Sequence, residues 1–335
     1  MNMDTSHATV MMFSGLGSET FQMGRDLFER NQVFRASMLE LDQTAQQFAG
    51  HSVLHQLYEP SQNGQPCESL ADSSLAVYML QFAMAQTLRA SGIEPDCTLA
   101  VSMGFFAAAT VSGCMKPEEA MQALIAQART VEMCCPRGGM LAVLAPIGLF
   151  QDPSIDRFCE VAAINSPSHF VVAGDRKGLD AVEDYLRYCR IACQRLKVEY
   201  GFHSHWIDDV RLPLEKLLAG MAGRSVKIPI VCCARAGRIG QLTAECFWKI
   251  AREPIRFYET IVSLEQQGTN LYIDAGPAGS LAAVLKGVLS PHSRSLVMST
   301  LTPFHNEEQN LEDLLVFKRR SQQRMTSGHR QTATV

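Results

Sequence analysis

Alternating strand-like and helix-like segments predict an α/β protein, with a mostly parallel sheet covered by helices on both faces and a second, smaller sheet at about 133–200. Three observations carry that expectation. Short apolar runs such as Ala8–Phe13, Thr98–Val101 and Leu271–Ala275 stand between longer segments of helical apolar spacing. The 335 residues, 47% apolar and 19% charged, suffice for a large core and exclude a disordered chain. Between 133 and 200 the texture changes, to three strand-like runs around one helix.

In chain order, Ala8–Phe13 reads as a strand ending in the turn Ser14-Gly15-Leu16-Gly17-Ser18. Ser74–Ser91 has the spacing of a buried helix, stopped by Gly92-Ile93-Glu94-Pro95. Thr98–Val101 comes next as a strand and Phe105–Gly113 as a small-residue helix. Pro117 opens the next helix, where its missing N–H costs nothing, and Glu118 and Glu119 complement the positive helix end. Met140–Ala145, Phe170–Ala173 and Cys193–Val198 read as strands around a helix at Leu179–Tyr188. Ile228–Cys233 and Leu271–Ala275 return as buried strands, Asn306–Arg320 reads as a last helix, and Ser321–Val335 as a polar frayed tail.

The charge balance argues against nucleic acid. The net −4 divides into +5 after Asp313 and −9 before it, so no basic field covers the chain. Eleven Cys with no C-x-x-C suggest free thiols in a reducing cytosol instead of a disulfide framework or a zinc site. Met1–Val10 lacks the basic and apolar segments of a signal peptide, and no apolar run is long enough for a membrane span. The expectation is a cytoplasmic protein with no metal and no membrane or nucleic-acid partner.

Chemistry is suggested by Ala100-Val101-Ser102-Met103-Gly104 between a strand and a helix. A sharp strand-to-helix turn needs small residues two positions either side of a Ser whose hydroxyl it pushes outward. The helix N-terminus places backbone N–H groups beside any oxyanion that develops there. A plain helix-capping Ser is the alternative. A Ser nucleophile needs a base, and His203, in the loop Tyr200–Trp206, is the candidate. His205 reads as a surface or helix-start residue. His51 and His55 sit four apart with no third ligand evident.

These residues resemble the malonyl-CoA:acyl-carrier-protein transacylases and the acyltransferase domains of polyketide and fatty-acid synthases. The likeness spans about Val10–Leu289, in the family's order: Phe13-Ser14-Gly15-Leu16-Gly17-Ser18-Glu19, the Ser102 turn, Asn165-Ser166-Pro167, Val171-Val172-Ala173-Gly174, Gly201-Phe202-His203-Ser204, Arg252–Phe257 and Asp274-Ala275-Gly276-Pro277. The resemblance implies an α/β-hydrolase-like large subdomain (1–132 and 201–304), an inserted ferredoxin-like small subdomain (133–200), and a C-terminal helix and tail (305–335). It implies Ser102 as acyl acceptor, His203 as base, and the backbone N–H groups of Leu16 and Met103 as oxyanion donors. It also implies that a backbone carbonyl steadies the His, aligned here to Ile250, so that Asp208 and Asp209 are helix-start residues and not triad members. Phe202 and Asn165 fall near the cleft, although Asn-x-Pro is also a turn signal.

One departure bears on specificity. Family members that take malonyl carry an Arg on the helix after the nucleophile. The family spacing runs from Gly113 to Ala120 to Gln127 here, with Gln where the Arg stands. Placing Arg129 there instead needs two extra residues inside a helix, which rotates every later side chain by about 200°. An Arg–carboxylate pair contributes about 1.5–3 kcal/mol per charged hydrogen bond. A malonyl carboxylate buried beside Gln alone would lose that and cost several kcal/mol. The change resembles the stand-alone acyl hydrolases of polyketide pathways. The expected protein is a monomeric serine acyl hydrolase with no bound cofactor, whose substrate is an acyl thioester on a carrier protein's phosphopantetheine arm. A trans-acting acyltransferase and a non-catalytic carrier-protein docking protein are the alternatives.

Overall fold

The computed structural model describes residues 7–20, 22–59, 69–221, 223–304 and 306–331. The first part of the chain forms β1 (Ala8–Phe13), α1 (Arg25–Arg30), α2 (Gln32–Ala49), α3 (Val53–Tyr58), α4 (Leu70–Ala90), β2 (Cys97–Ala100), α5 (Gly104–Val111) and α6 (Pro117–Cys134). The middle forms β3 (Gly138–Val143), α7 (Pro153–Asp156), β4 (Cys159–Ser166), β5 (His169–Asp175), α8 (Arg176–Tyr188) and β6 (Cys193–Arg195). The rest forms α9 (Arg211–Leu218), β7 (Ser225–Cys232), β8 (Gly237–Gln241), α10 (Ala244–Arg252), α11 (Phe257–Gln267), β9 (Asn270–Asp274), α12 (Ser280–Lys286), β10 (Leu296–Ser299) and α13 (Glu307–Gln331).

The large sheet has the order β10-β9-β1-β2-β7-β8, parallel throughout except for the edge pair β7–β8. Side chains alternate across it. Met11, Phe13, Ala100 and Cys232 enter a core with α4, α5 and α6, while Val10, Met12, Val101 and Cys233 enter a second core on the opposite face. The small sheet, β4-β5-β3-β6, is antiparallel. Its Met140, Ala163 and Val171 join that second core. Its other face packs Leu141, Val143, Phe170 and Val172 against Leu179, Val182 and Leu186 of α8. Each of those three α8 residues is fully buried and contributes about 1.5–3 kcal/mol.

Backbone bonds tie the small sheet to the large subdomain. Ile164 N–H donates to the Ile255 carbonyl and Ile255 N–H to the Ala162 carbonyl, both at 2.8 Å. The expected strands at 8–13, 98–101 and 271–275 occur within a residue of their limits. β6 is shorter than expected, ending at Arg195. β8 has one apolar residue, Ile239, β4 breaks its apolar run with Glu160 and Asn165, and β10 is only four residues long, so none of the three stands out in sequence as a buried strand. α6 starts at Pro117, where the Lys116 N–H donates to Glu119 at 2.9 Å. All ten described cysteines are free thiols, and Cys67 lies outside the described residues. α13 continues to Gln331, eleven residues past the expected end at Arg320, so the segment read as a frayed tail is helical that far; its side chains from Ser321 on are not described.

Candidate active site

The C-terminal ends of β1 and β2 lie side by side, with Phe13 paired to Ala100, so the turns after both strands meet at one sheet edge. After β2 the chain reverses tightly into α5. Val101 N–H donates to the Phe13 carbonyl, Gly104 N–H to the Val101 carbonyl and Phe105 N–H to the Ser102 carbonyl, each at 3.0 Å. Ser102 takes a φ of 52°, a left-handed conformation that costs a non-glycine residue on the order of 1–2 kcal/mol. Two glycines make the turn possible. A Cβ on Gly104 would lie 2.2 Å from the Phe13 carbonyl oxygen, and one on Gly15 would lie 2.9 Å from the Ser102 Cβ.

His203 comes after the small subdomain in a turn that also has positive φ, at 63°. Its N–H donates to the Ala251 carbonyl at 2.9 Å, fixing the backbone beneath the ring. The ring Nδ1 lies 2.9 Å from the Glu253 carbonyl, and Nε2 lies 2.9 Å from the Ser102 Oγ. A carbonyl oxygen only accepts, so Nδ1 carries the hydrogen and Nε2 is left with a lone pair for the Ser102 hydroxyl. The ring is almost wholly buried. Burial pushes its pKa from the ordinary 6.5 down to about 4; the Arg252 charge adds to this and the Glu253 carbonyl opposes it. The imidazole is therefore neutral at neutral pH.

The orienting carbonyl belongs to Glu253, not to Ile250 as the family resemblance implied. α10 ends at Arg252, and the extended backbone at Glu253 turns that residue's carbonyl to the ring, while the Ala251 carbonyl takes the His203 N–H. Asp208 is engaged elsewhere, accepting from Arg252 Nε at 2.6 Å, and Asp209 is exposed. His205 is an exposed residue against the Glu160 carboxylate.

The Ser102 and His203 side chains open into a cavity of about 230 Å³. It straddles the sheet edge. Phe106, Leu124 and Ile250 line it from the core of one sheet face, and Val101, Ala163, Val171 and Leu281 from the core of the other. Leu16 and Met103 also line it. Among the described residues, neither of their backbone N–H groups donates to a protein acceptor. Asp274, at the end of β9, accepts from the N–H groups of Gly276 and Ala282, both at 2.9 Å. Burial raises its pKa, against those donors. The turn it braces packs on Ser14, since a Cβ on Gly276 would meet the Ser14 Oγ at 2.5 Å.

The acyl transferase domain family matches residues 10–330. The chain is 39% identical over 307 residues to the polyketide biosynthesis acyltransferase homolog BaeD of Bacillus velezensis, covering 91% of this chain and 95% of that one. It is 36% identical over 311 residues to the homolog PksD of Bacillus subtilis, covering 92% and 96%. This chain belongs to the acyl transferase domain family. Among solved structures, the loading acyltransferase of the avermectin modular polyketide synthase superposes with a TM-score of 0.84 at 22% identity, covering 93% of this chain and 100% of that one. The malonyl CoA-acyl carrier protein transacylase of Clostridium perfringens gives 0.80 at 17%, covering 96% and 99%. Those two share the fold, including the large α/β and small ferredoxin-like subdomains.

In this acyl transferase domain Gln127, Phe202 and Asn165 all line the cavity. Arg129, two residues beyond Gln127 on α6, is exposed and is not among the lining residues. His203 is the only titratable side chain in the described lining. Among the described residues no helix is long and apolar enough to cross a membrane. No three or more His, Cys, Asp or Glu among them gather as a metal site would require.

Proposed function

We propose that this acyl transferase domain is a serine acyl hydrolase that removes non-malonyl acyl groups from acyl-carrier-protein thioesters in polyketide biosynthesis. The observation that carries the reading is a Ser–His pair opening into a mostly apolar cavity with no Lys or Arg among its described lining residues. His203 Nε2 takes the Ser102 proton as Oγ attacks the thioester carbonyl. The Leu16 and Met103 N–H groups receive the oxyanion. The pantetheine thiolate leaves with the proton from His203, giving an acyl-Ser102 ester. His203 then takes a proton from water, whose oxygen attacks the ester, and returns it to Ser102 as the free acid departs. The imidazolium formed in each step is stabilised by the Glu253 carbonyl on Nδ1.

Uncharged acyl chains enter such a cavity without the desolvation cost of a charge, whereas a carboxylate would be desolvated beside neutral donors such as the Gln127 amide, with no counter-charge in the described lining. A panel of acyl-carrier-protein thioesters, scored by mass spectrometry for free acid, tests this reading. Acetyl and longer uncharged chains are expected to release acid faster than malonyl, and equal or faster malonyl release overturns it. The names of BaeD and PksD, acyltransferase homologs, favour a second reading, transfer to another carrier protein. Adding an unloaded carrier protein to the same reactions separates the two: transfer moves the acyl group onto its thiol, and hydrolysis leaves that thiol free.

A further inference from the structure

The loop that presents the Leu16 N–H comes directly after β1, and its hydrogen bonds are mostly its own. Ser18 Oγ donates to the Gly15 carbonyl at 3.3 Å, and Gly17 N–H donates to the Glu19 carboxylate at 2.8 Å. Among the described residues, one side-chain hydrogen bond ties residues 14–19 to another element. Gln81 of α4 donates from Nε2 to the Ser14 carbonyl at 3.0 Å.

Two features set this contact apart from ordinary core packing. Gln81 is fully buried, and its Oε1 has no hydrogen-bond partner. A buried amide with half its head unsatisfied costs folding free energy that Leu or Met would avoid. The Ser14 carbonyl is also hemmed in, since a Cβ on Gly104 would lie 2.7 Å from it. Without the Gln81 amide that carbonyl loses its donor, and the peptide plane joining Ser14 to Gly15 loses the hydrogen bond that fixes its tilt. Gly15 packs on the Ser102 side chain, and the next N–H along the chain is that of Leu16.

We propose that Gln81 is a positioning residue for oxyanion binding: by holding the Ser14 carbonyl from beneath, it aims the Leu16 N–H at the carbonyl oxygen that Ser102 attacks. This rests on the Ser102 acyl-enzyme reading. Gln81 touches no substrate and acts through the loop.

The test uses the full chain and p-nitrophenyl butyrate, following the acylation burst of p-nitrophenolate and the acyl-Ser102 mass. Gln81→Leu is expected to lower the acylation rate about 10²-fold, the scale of losing one oxyanion donor, with KM changed by less than about twofold and Tm little affected. Gln81→Glu adds a readout that packing alone would not move. Burial raises the introduced carboxyl's pKa, and only its protonated form donates to the Ser14 carbonyl. This variant should therefore retain activity in mild acid and lose it as pH rises, whereas the wild-type rate does not fall over that range. If Gln81→Leu acylates at the wild-type rate, or Gln81→Glu keeps the wild-type pH profile, the proposal is overturned while the Ser102 reading stands. If wild type itself forms no acyl-Ser102, the reading fails and the proposal with it. Should Gln81→Leu not fold, the pH profile of Gln81→Glu decides alone.

Discussion

Ser102 and His203, 101 residues apart in sequence, meet at 2.9 Å with both backbones in the left-handed region, at φ values of 52° and 63°. Each conformation is unfavourable for a residue with a Cβ, and each is held by its surroundings. The first is pinned by the turn bonds around Gly104, the second by the Ala251 carbonyl. The strain points both side chains out of the backbone path and toward each other.

Replacing Ser102 separates chemistry from strain. Ser102→Ala and Ser102→Gly should both abolish the acyl-enzyme seen by mass spectrometry. Ala keeps the unfavourable φ, whereas Gly adopts it freely at some entropic cost in the unfolded chain. The Gly variant should therefore be the more stable of the two by about 1 kcal/mol. Denaturant unfolding of both proteins checks this, and equal midpoints would remove the strain argument.

The pH dependence arises from the His203 environment. The unfolded imidazole titrates near 6.5 and the folded one near 4. Between those values the unfolded chain holds more protons, so stability falls as pH drops from 6.5 toward 4, by on the order of 3 kcal/mol, and this contribution levels off below that. The acid limb of kcat/KM should have its midpoint near 4, and His203→Ala should lose both effects. An acid limb at 6.5 would place the ring in water and not in the buried site.

Gly104→Ala puts a methyl group 2.2 Å from the Phe13 carbonyl oxygen and 2.5 Å from its carbon. Backbone, not a flexible side chain, would have to yield, and the β1–β2 register at Phe13 and Ala100 lies directly beneath. A loss of about 3 kcal/mol is expected, at the upper end for overpacking, with acylation falling as Ser102 is displaced. Gly148→Ala is the control, because nothing lies within 4 Å of its added Cβ and its stability should not change. Thermal unfolding with a burst assay reads both outcomes.

Much of this site was legible in the chain because the constraints are local. Ala100 and Gly104 around Ser102 announce a tight turn, Pro117 announces where α6 begins, and the spacing from Gly113 to Ala120 to Gln127, which the family resemblance supplied, picks out Gln127 on that helix. Four features escaped for physical reasons. The carbonyl that orients His203 belongs to Glu253, and since every residue has a carbonyl, no side-chain type marks the one in use. The Ser14–Gln81 contact spans 67 residues and looks in sequence like a polar slip in an apolar helix. β4 carries Glu160 and Asn165 in the strand that reaches the cavity rim, so its pattern is not that of a buried strand. β10, Leu296–Ser299, is apolar in three of its four residues but is short, lies at the sheet edge and is only partly covered, so its length gives no clear strand signal.

The Gln127 cavity wall leads to a gain-of-function expectation. Gln127→Arg would place a guanidinium on the α6 face that lines the cavity with Ser102, and the described lining holds no carboxylate to neutralise it. A malonyl carboxylate could then form a bidentate, charge-assisted pair, each bond contributing about 1.5–3 kcal/mol. Part of that is offset by desolvating the Arg, so a net gain of about 1–2 kcal/mol, or roughly tenfold in kcat/KM for malonyl, is the reasonable scale. Acetyl gains nothing from the new charge and should slow or stay level, so the malonyl-to-acetyl ratio is the sensitive quantity. Arg129→Gln serves as the comparison: that side chain is exposed, and its removal should leave the ratio alone. Acylation by malonyl- and acetyl-CoA, read as acyl-Ser102 mass, measures both variants. A ratio unmoved by Gln127→Arg but shifted by Arg129→Gln would reverse the assignment of which α6 residue faces the acyl group.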